Sequence, residues 1–120
     1  MDFTIRQGLN IPVAGMPRQI IENGSEVSSV AVFAGDFHGV RPEVLVQIED
    51  RVGVGQPLVR ARNRPDILFT APASGVVAKI NYSHHRNLES IVVECEDVPS
   101  VPLDINEDVR AVLLKSGLWT

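Results

Sequence analysis

Pro42-Glu43-Val44-Leu45-Val46-Gln47-Ile48-Glu49-Asp50-Arg51-Val52-Gly53-Val54-Gly55-Gln56-Pro57-Leu58-Val59 is followed, after a polar hairpin, by Phe69-Thr70-Ala71-Pro72-Ala73-Ser74-Gly75-Val76-Val77-Ala78-Lys79-Ile80. Val44, Val46 and Ile48 alternate with Glu43, Gln47 and Glu49, the pattern of a half-buried strand. Glu49-Asp50-Arg51 then turns the chain. Gly53 and Gly55 mark positions where a side chain would crowd a bend or where φ must be positive. Leu58 and Val59 open a new strand. After a turn built on Pro72 and Gly75, Val76, Ala78 and Ile80 alternate again. Short strands, frequent turns and no helical period predict a small, strongly bent β-sheet.

Outward from this stretch the chain stays mainly β. Residues 1–6 alternate as a short strand, and the two glycines and proline of residues 8–15 rule out a long helix. Residues 17–29 scatter Ile20, Ile21 and Val27 among polar residues, with a turn expected at Asn23-Gly24. Val30-Ala31-Val32-Phe33 is apolar on both faces and predicts a buried strand. Gly35-Asp36-Phe37-His38-Gly39 is a turn. A polar loop over residues 81–87 leads to a closing strand over residues 88–93. Val98-Pro99-Ser100-Val101-Pro102 predicts an extended connector, because two prolines lack ladder donors. One helix is expected near the end. Asp104 or Asn106 would cap it, Glu107 and Asp108 would charge its first turn, and Gly117 would stop it. Ile105, Val109, Val112 and Leu113 would form its core-facing stripe.

The motifs V-x-x-x-D-x-V-x-x-G-Q-P-L and T-A-P-A-S-G-V-V-x-x-I resemble the biotinyl/lipoyl-type barrel-sandwich fold. In that family two similar halves pack face to face. Pro42 and Pro72, Ile48 and Ile80, and Leu58 and Val92 stand about thirty residues apart, as a faint internal repeat would. Carrier members hold a lysine at the tip of the hairpin between the halves. Here that tip is expected at Asn63-Arg64-Pro65, with Arg64 in the lysine's seat. A guanidinium stays protonated at any working pH, so it cannot be the amine that accepts biotin or lipoate. The only lysines are Lys79 and Lys115, neither at that tip.

Composition narrows the classes further. The 120 residues allow one domain with appendages, and 44% hydrophobic content fits a globular chain. No apolar run approaches the ~18 residues needed to cross a bilayer. The first residues lack the basic and apolar regions of a secretory signal. Fifteen acids against eleven lysines and arginines give a net charge of −4, and no basic cluster with interleaved aromatics is present, so nucleic acid is not an expected partner. The single cysteine, Cys95, cannot form an internal disulfide or supply the four thiolates of an iron–sulfur cluster. It is read as a strand residue.

No catalytic, cofactor-binding or metal-binding residues are assigned. Gly53-Val54-Gly55 lacks the third glycine of a dinucleotide loop, and Pro57 stands where the helix would begin. His84 and His85, adjacent on the chain and without a third ligand at useful spacing, are solvated loop residues. His38 has no paired carboxylate or nucleophile nearby in sequence and is a turn residue. Ser74 lacks the G-x-S-x-G frame of a nucleophile elbow. Arg60, Arg62 and Arg64 alternate, so a single strand would place them on one face. The plain reading is a solvated face. The sharper one makes them, with Arg41 nearby, a candidate subunit interface, contacting acidic groups on a neighbouring subunit or on the remainder of a longer chain.

A narrower resemblance covers most of the chain. Gly8-Leu9-Asn10-Ile11-Pro12-Val13-Ala14-Gly15, Gly39-Val40-Arg41-Pro42, Gly55-Gln56-Pro57-Leu58, Phe69-Thr70-Ala71-Pro72-Ala73-Ser74-Gly75 and Ser116-Gly117-Leu118-Trp119-Thr120 fall in the order seen in the NqrA family, the A subunits of the bacterial Na⁺-translocating NADH:quinone reductase. The resemblance implies a biotinyl/lipoyl-like barrel-sandwich hybrid with three parts. Residues 1–40 would be an N-terminal β extension, 41–97 the barrel-sandwich core, and 98–120 a connector and C-terminal helix cut from a longer chain. It implies a non-catalytic module of a peripheral subunit on the cytoplasmic face of the bacterial inner membrane. The chain itself would carry no cofactor. The complex would use NADH, flavins, iron–sulfur centres and ubiquinone, and the partners would be its other subunits and ubiquinone. Three alternatives stay open: the C subunit of the Rnf electron-transport complex, which shares the segment; a lysine-borne carrier; and a structural barrel-sandwich adaptor.

Overall fold

The computed structural model describes residues 8, 14–106 and 108–119. The strand expected over residues 1–6 and the contribution of Glu107 to the helix lie outside these. The described strands are β1 (Ser29–Phe33), β2 (Pro42–Val44), β3 (Arg51–Val52), β4 (Pro57–Ala61), β5 (Arg64–Thr70), β6 (Gly75–Tyr82) and β7 (Leu88–Cys95), with one helix, α1 (Val109–Ser116). They form a four-stranded sheet in the order β1-β7-β6-β3 and a three-stranded sheet in the order β2-β4-β5. All pairings are antiparallel. One core draws on both sheets: Val52, Val77, Ile91 and Val93 from the first, and Leu58, Val59 and Phe69 from the second. Two antiparallel sheets on one core, mainly β with one α-helix among the described residues, make the sandwich that the sequence led one to expect.

Bulges decide which residues enter this core. On β4, Pro57 pairs with Thr70 and Val59 with Phe69, so Leu58 is the extra residue. A bulge lets consecutive side chains point to one side, and Leu58 and Val59 are both fully buried. On β6, Val77 pairs with Val93 but Lys79 pairs with Val92, so Ala78 is extra. The bulge shifts the alternation by one. Val77 and Ile80, opposite Val93 and Ile91, therefore share the inner face. The expected alternation of Val76, Ala78 and Ile80 is corrected accordingly: the bulge breaks it, and Val77 is the fully buried residue.

The turns follow the sequence more closely. Asp50 folds back so that its Oδ2 accepts from the Gln47 backbone N–H at 2.7 Å. The same turn is tied to β6, Glu49 N–H donating to Val77 C=O at 2.8 Å. Gly55 has a φ of +84°, the reason for glycine there. Gly53 is needed for space: a Cβ would fall on the Pro99 carbonyl oxygen. The connector that carries Pro99 runs across this loop, tied by the Val101 N–H to the Val54 carbonyl at 2.9 Å.

Several other expectations change. Val30-Ala31-Val32-Phe33 lies on β1, which among the described residues pairs with β7 alone and stands at the edge of the described sheet. Its burial alternates, and Phe33 is 56% exposed, so it is not a buried strand. Ile48 is 57% exposed, because β2 ends at Val44 and the chain is already turning. The internal repeat does not carry over. Pro42 is in a strand and Pro72 in a bend, and Leu58 is buried where Val92 is only half-buried. Residues 16–27, Asn23-Gly24 included, form no regular element or turn.

Helix α1 starts later than its sequence suggests. Asp108 is the N-cap, its Oδ2 accepting from Arg110 N–H at 3.1 Å and Ala111 N–H at 3.3 Å. Asp104 instead accepts from the Asn106 backbone N–H at 2.9 Å, a local turn that keeps Ile105 outside the helix. Ile105 and Val109 are exposed, and Leu114 is the helix residue that packs against the core. Gly117 ends the helix as expected, with φ +76°. It sits hard against Thr70, whose hydroxyl donates to the Ser116 carbonyl at 3.2 Å.

Candidate functional site

The β4–β5 hairpin turns at Arg62-Asn63, since Ala61 pairs with Arg64. The expected tip, Asn63-Arg64-Pro65, is thus displaced by one residue. Arg64 begins β5, and Pro65 is tolerated because β5 is a sheet edge, where no donor is demanded of it. Arg60 and Arg64 therefore lie on neighbouring strands with Arg62 in the turn between them, and the three do not alternate along one strand.

Each arginine has a different setting. Arg60 sits opposite Glu43 in the β2–β4 ladder. Its Nε donates to Glu43 Oε2 at 2.8 Å and its Nη2 to Oε1 at 3.2 Å, a bidentate fork. This hydrogen bonding, opposed by slight desolvation and supported by the charges of Arg60 and Arg62, holds the Glu43 carboxyl below the usual carboxylate range. Arg64 lies 3.8 Å from Asp66 on its own strand, both largely solvated. Arg62 is exposed, and its backbone N–H donates to the Arg41 carbonyl at 2.9 Å.

That last bond brings Arg62 beside Arg41 at the mouth of a groove of about 840 Å³. The groove runs between the β4–β5 turn and the β6–β7 hairpin. Arg41, Arg62 and Arg86 line it, with Tyr82 and Asn87 beside them and Val40, Val44 and Leu88 as apolar lining. Arg86 was legible from sequence only as part of a polar loop. It stands in the left-handed region at φ 59°, in a turn closed by Ser83 N–H to Asn87 C=O at 2.8 Å and Arg86 N–H to Ser83 C=O at 2.9 Å. Guanidiniums do not exchange protons near neutrality, so this constellation can bind anions but cannot act as an acid or base.

The remaining candidates are dispersed. His84 and His85 are exposed in the β6–β7 turn, and His38 is exposed beside a separate groove of about 600 Å³. The Ser74 hydroxyl donates to the Glu96 carbonyl at 2.8 Å. Cys95 ends β7 as a free thiol, its N–H donating to the Ser28 carbonyl at 2.9 Å. Among the described residues no three His, Cys, Asp or Glu gather as a metal site, and no helix is long and apolar enough to cross a membrane.

Comparison with known proteins decides the family. Residues 3–96 match the model of the NqrA N-terminal barrel-sandwich hybrid domain. The chain belongs to this family. Similar NqrA relatives, each named as the A subunit of a Na⁺-translocating NADH-quinone reductase, include that of Yersinia pseudotuberculosis serotype O:1b (strain IP 31758), 40% identical over 97% of this chain and 28% of the relative. That of Tolumonas auensis is 36% identical over 98% of this chain and 29% of the relative. That of Histophilus somni (strain 2336) is 41% identical over 98% and 29%. The chain therefore spans under a third of the length of these NqrA proteins. The NqrA match crosses residue 40, and β1, before that position, pairs with β7 along five residue pairs.

The Glu43–Arg60 pair gives a pH prediction. A carboxyl whose folded pKa is depressed stabilises the fold above its unfolded pKa, about 4.3 for glutamate, and loses that contribution as pH falls through the lower folded value. Glu43→Gln is therefore expected to melt lower than the parent at neutral pH, with the difference shrinking once the pH drops below about 4. Thermal melts of both proteins across the acid range check this. A difference independent of pH would show that the carboxylate charge is not what Arg60 responds to.

Proposed function

We propose that this chain is the barrel-sandwich portion of a peripheral subunit of the Na⁺-translocating NADH:quinone reductase, serving assembly and not chemistry of its own. Identity of 36–41% to NqrA proteins across nearly the whole chain carries this reading. On it, the complex uses NADH, flavins, iron–sulfur centres and ubiquinone, and couples quinone reduction to Na⁺ export, while this portion holds no cofactor. The subunit lies on the cytoplasmic face of the inner membrane. Residues 41–97 form its folding core, 1–40 dock on it through β1, and 98–120 lead onward through α1. Arg62 and Arg64 contact a neighbouring subunit, with Arg60 bracing the hairpin through Glu43.

The test is to tag the full-length protein and isolate it from membranes of its host. The other reductase subunits and NADH:quinone activity are expected to come with it. The tagged protein separated from them is expected to show no flavin or iron–sulfur absorbance. Stoichiometric flavin on the separated protein, or a tagged protein that leaves active membranes alone, would overturn the proposal.

A further inference from the structure

We propose that the groove between the β4–β5 and β6–β7 hairpins docks a carboxylate-bearing peptide segment of a partner protein. Most of its charge is unspent. Among the described residues Arg41, Arg62 and Arg86 make no salt bridge; Glu43, the acidic residue in the lining, is held by the fork of Arg60 and meets Arg62 only through its longer-range charge. Open guanidinium forks match carboxylates in bidentate geometry.

The backbone carrying these side chains is set before anything binds. Arg41 and Arg62 are joined through the Arg62 N–H, and Arg86 occupies a left-handed position that glycine or asparagine would fill more easily. Such a conformation persists where the surrounding hydrogen bonds impose it, as those of Ser83 and Asn87 do here. The backbone is already ordered, and the exposed arginine side chains order on the ligand.

Two observations choose a peptide over other anions. The groove sets half-buried Val40 and Val44 and buried Leu88 beside its cationic rim, so it offers contacts to apolar side chains as well as carboxylates. A free phosphate or a lipid headgroup would use only the rim. The chain also carries a net charge of −4, which opposes approach to a nucleic acid while leaving a local cationic recess able to take a few carboxylates.

The probe is a fluorescent peptide of alternating glutamate and leucine, titrated onto the full-length protein at low and moderate salt. Arg62→Gln with Arg86→Gln is expected to weaken binding by at least about tenfold for each arginine removed. Arg18→Gln, at an exposed arginine that is not part of the groove lining, should leave it unchanged. Arg41→Gln alone provides a second, milder variant, and melting temperatures establish that each protein is folded. Inorganic phosphate and phosphatidylserine vesicles serve as competing arms and should displace the peptide poorly. Unaltered binding by the double variant overturns the groove, as does equal loss in Arg18→Gln or preferential binding of phosphate or vesicles. The inference draws on the reading under the previous heading only for who the partner is. A folded double variant that still binds peptide ends this inference and leaves that reading intact, whereas a tagged protein isolated without other subunits does the reverse.

Discussion

Gly75→Ala is expected to destabilise the fold by roughly 3 kcal/mol, the upper end of the usual overpacking range. Its added Cβ would fall on the carbonyl oxygen of Glu94 and lie 3.0 Å from the Cα of Cys95. Both are backbone atoms, and neither can step aside. Glu94 and Cys95 belong to β7, which is clamped between β6 on one side and β1 on the other, with Ser29 paired to Glu94. Relief would require parting the ladder that carries Val77 and Val93 into the core. Urea denaturation of the two proteins measures the effect. A loss under about 1 kcal/mol would mean that the strands can separate freely here. Gly53 meets a similar clash with Pro99, but Pro99 lies in an exposed connector outside both sheets, so that contact has a way to yield.

Leu58→Ala is the second large effect, with an expected cost of about 3–4 kcal/mol. Leu58 is completely buried and occupies the β4 bulge, with its backbone carbonyl taking the Leu45 N–H at 2.9 Å. Neighbours held in two hydrogen-bonded sheets cannot collapse into the space vacated, so a cavity penalty adds to the lost burial. A domain of this size should melt lower by more than about 10 °C. Ile48→Ala, at a residue of similar volume but 57% exposed, is expected to cost under about 0.5 kcal/mol. Equal losses at the two positions would show that the core is not where the two sheets place it.

Sequence spacing could not separate Ile48 from Leu58, and the reason is general to this fold. Alternation states that a strand has two faces; it does not say where a bulge exchanges them. The extra residues Leu58 and Ala78 each shift the phase by one, bringing Leu58 beside Val59 and Val77 in place of Val76 into the core. The exposure of Phe33 likewise goes with the place of β1 at the end of the described sheet, a fact of strand order that no local pattern encodes. Helix α1 shows the same division. Gly117 and Lys115 could be placed from sequence, whereas the choice of Asp108 over Asp104 as cap depended on the Asp104 side chain being engaged by Asn106.

The candidate site was half legible. Arg41, Arg60, Arg62 and Arg64 stood out as a group, but a straight strand was assumed for the last three. The reversal at Arg62-Asn63 split them, and Glu43 claimed Arg60. Arg86 joined the groove from a hairpin more than twenty residues away, with its position along the chain offering no sign of the meeting.

By itself the sequence determined the class of the protein, most of its glycine and proline turns and its lack of a modifiable lysine at the hairpin, because glycine, proline and side-chain chemistry act locally. Only the tertiary structure decided which apolar residues fill the core and which arginines face one groove. Strand register, bulges and edge position set those, and they arise from pairings between residues distant in the chain.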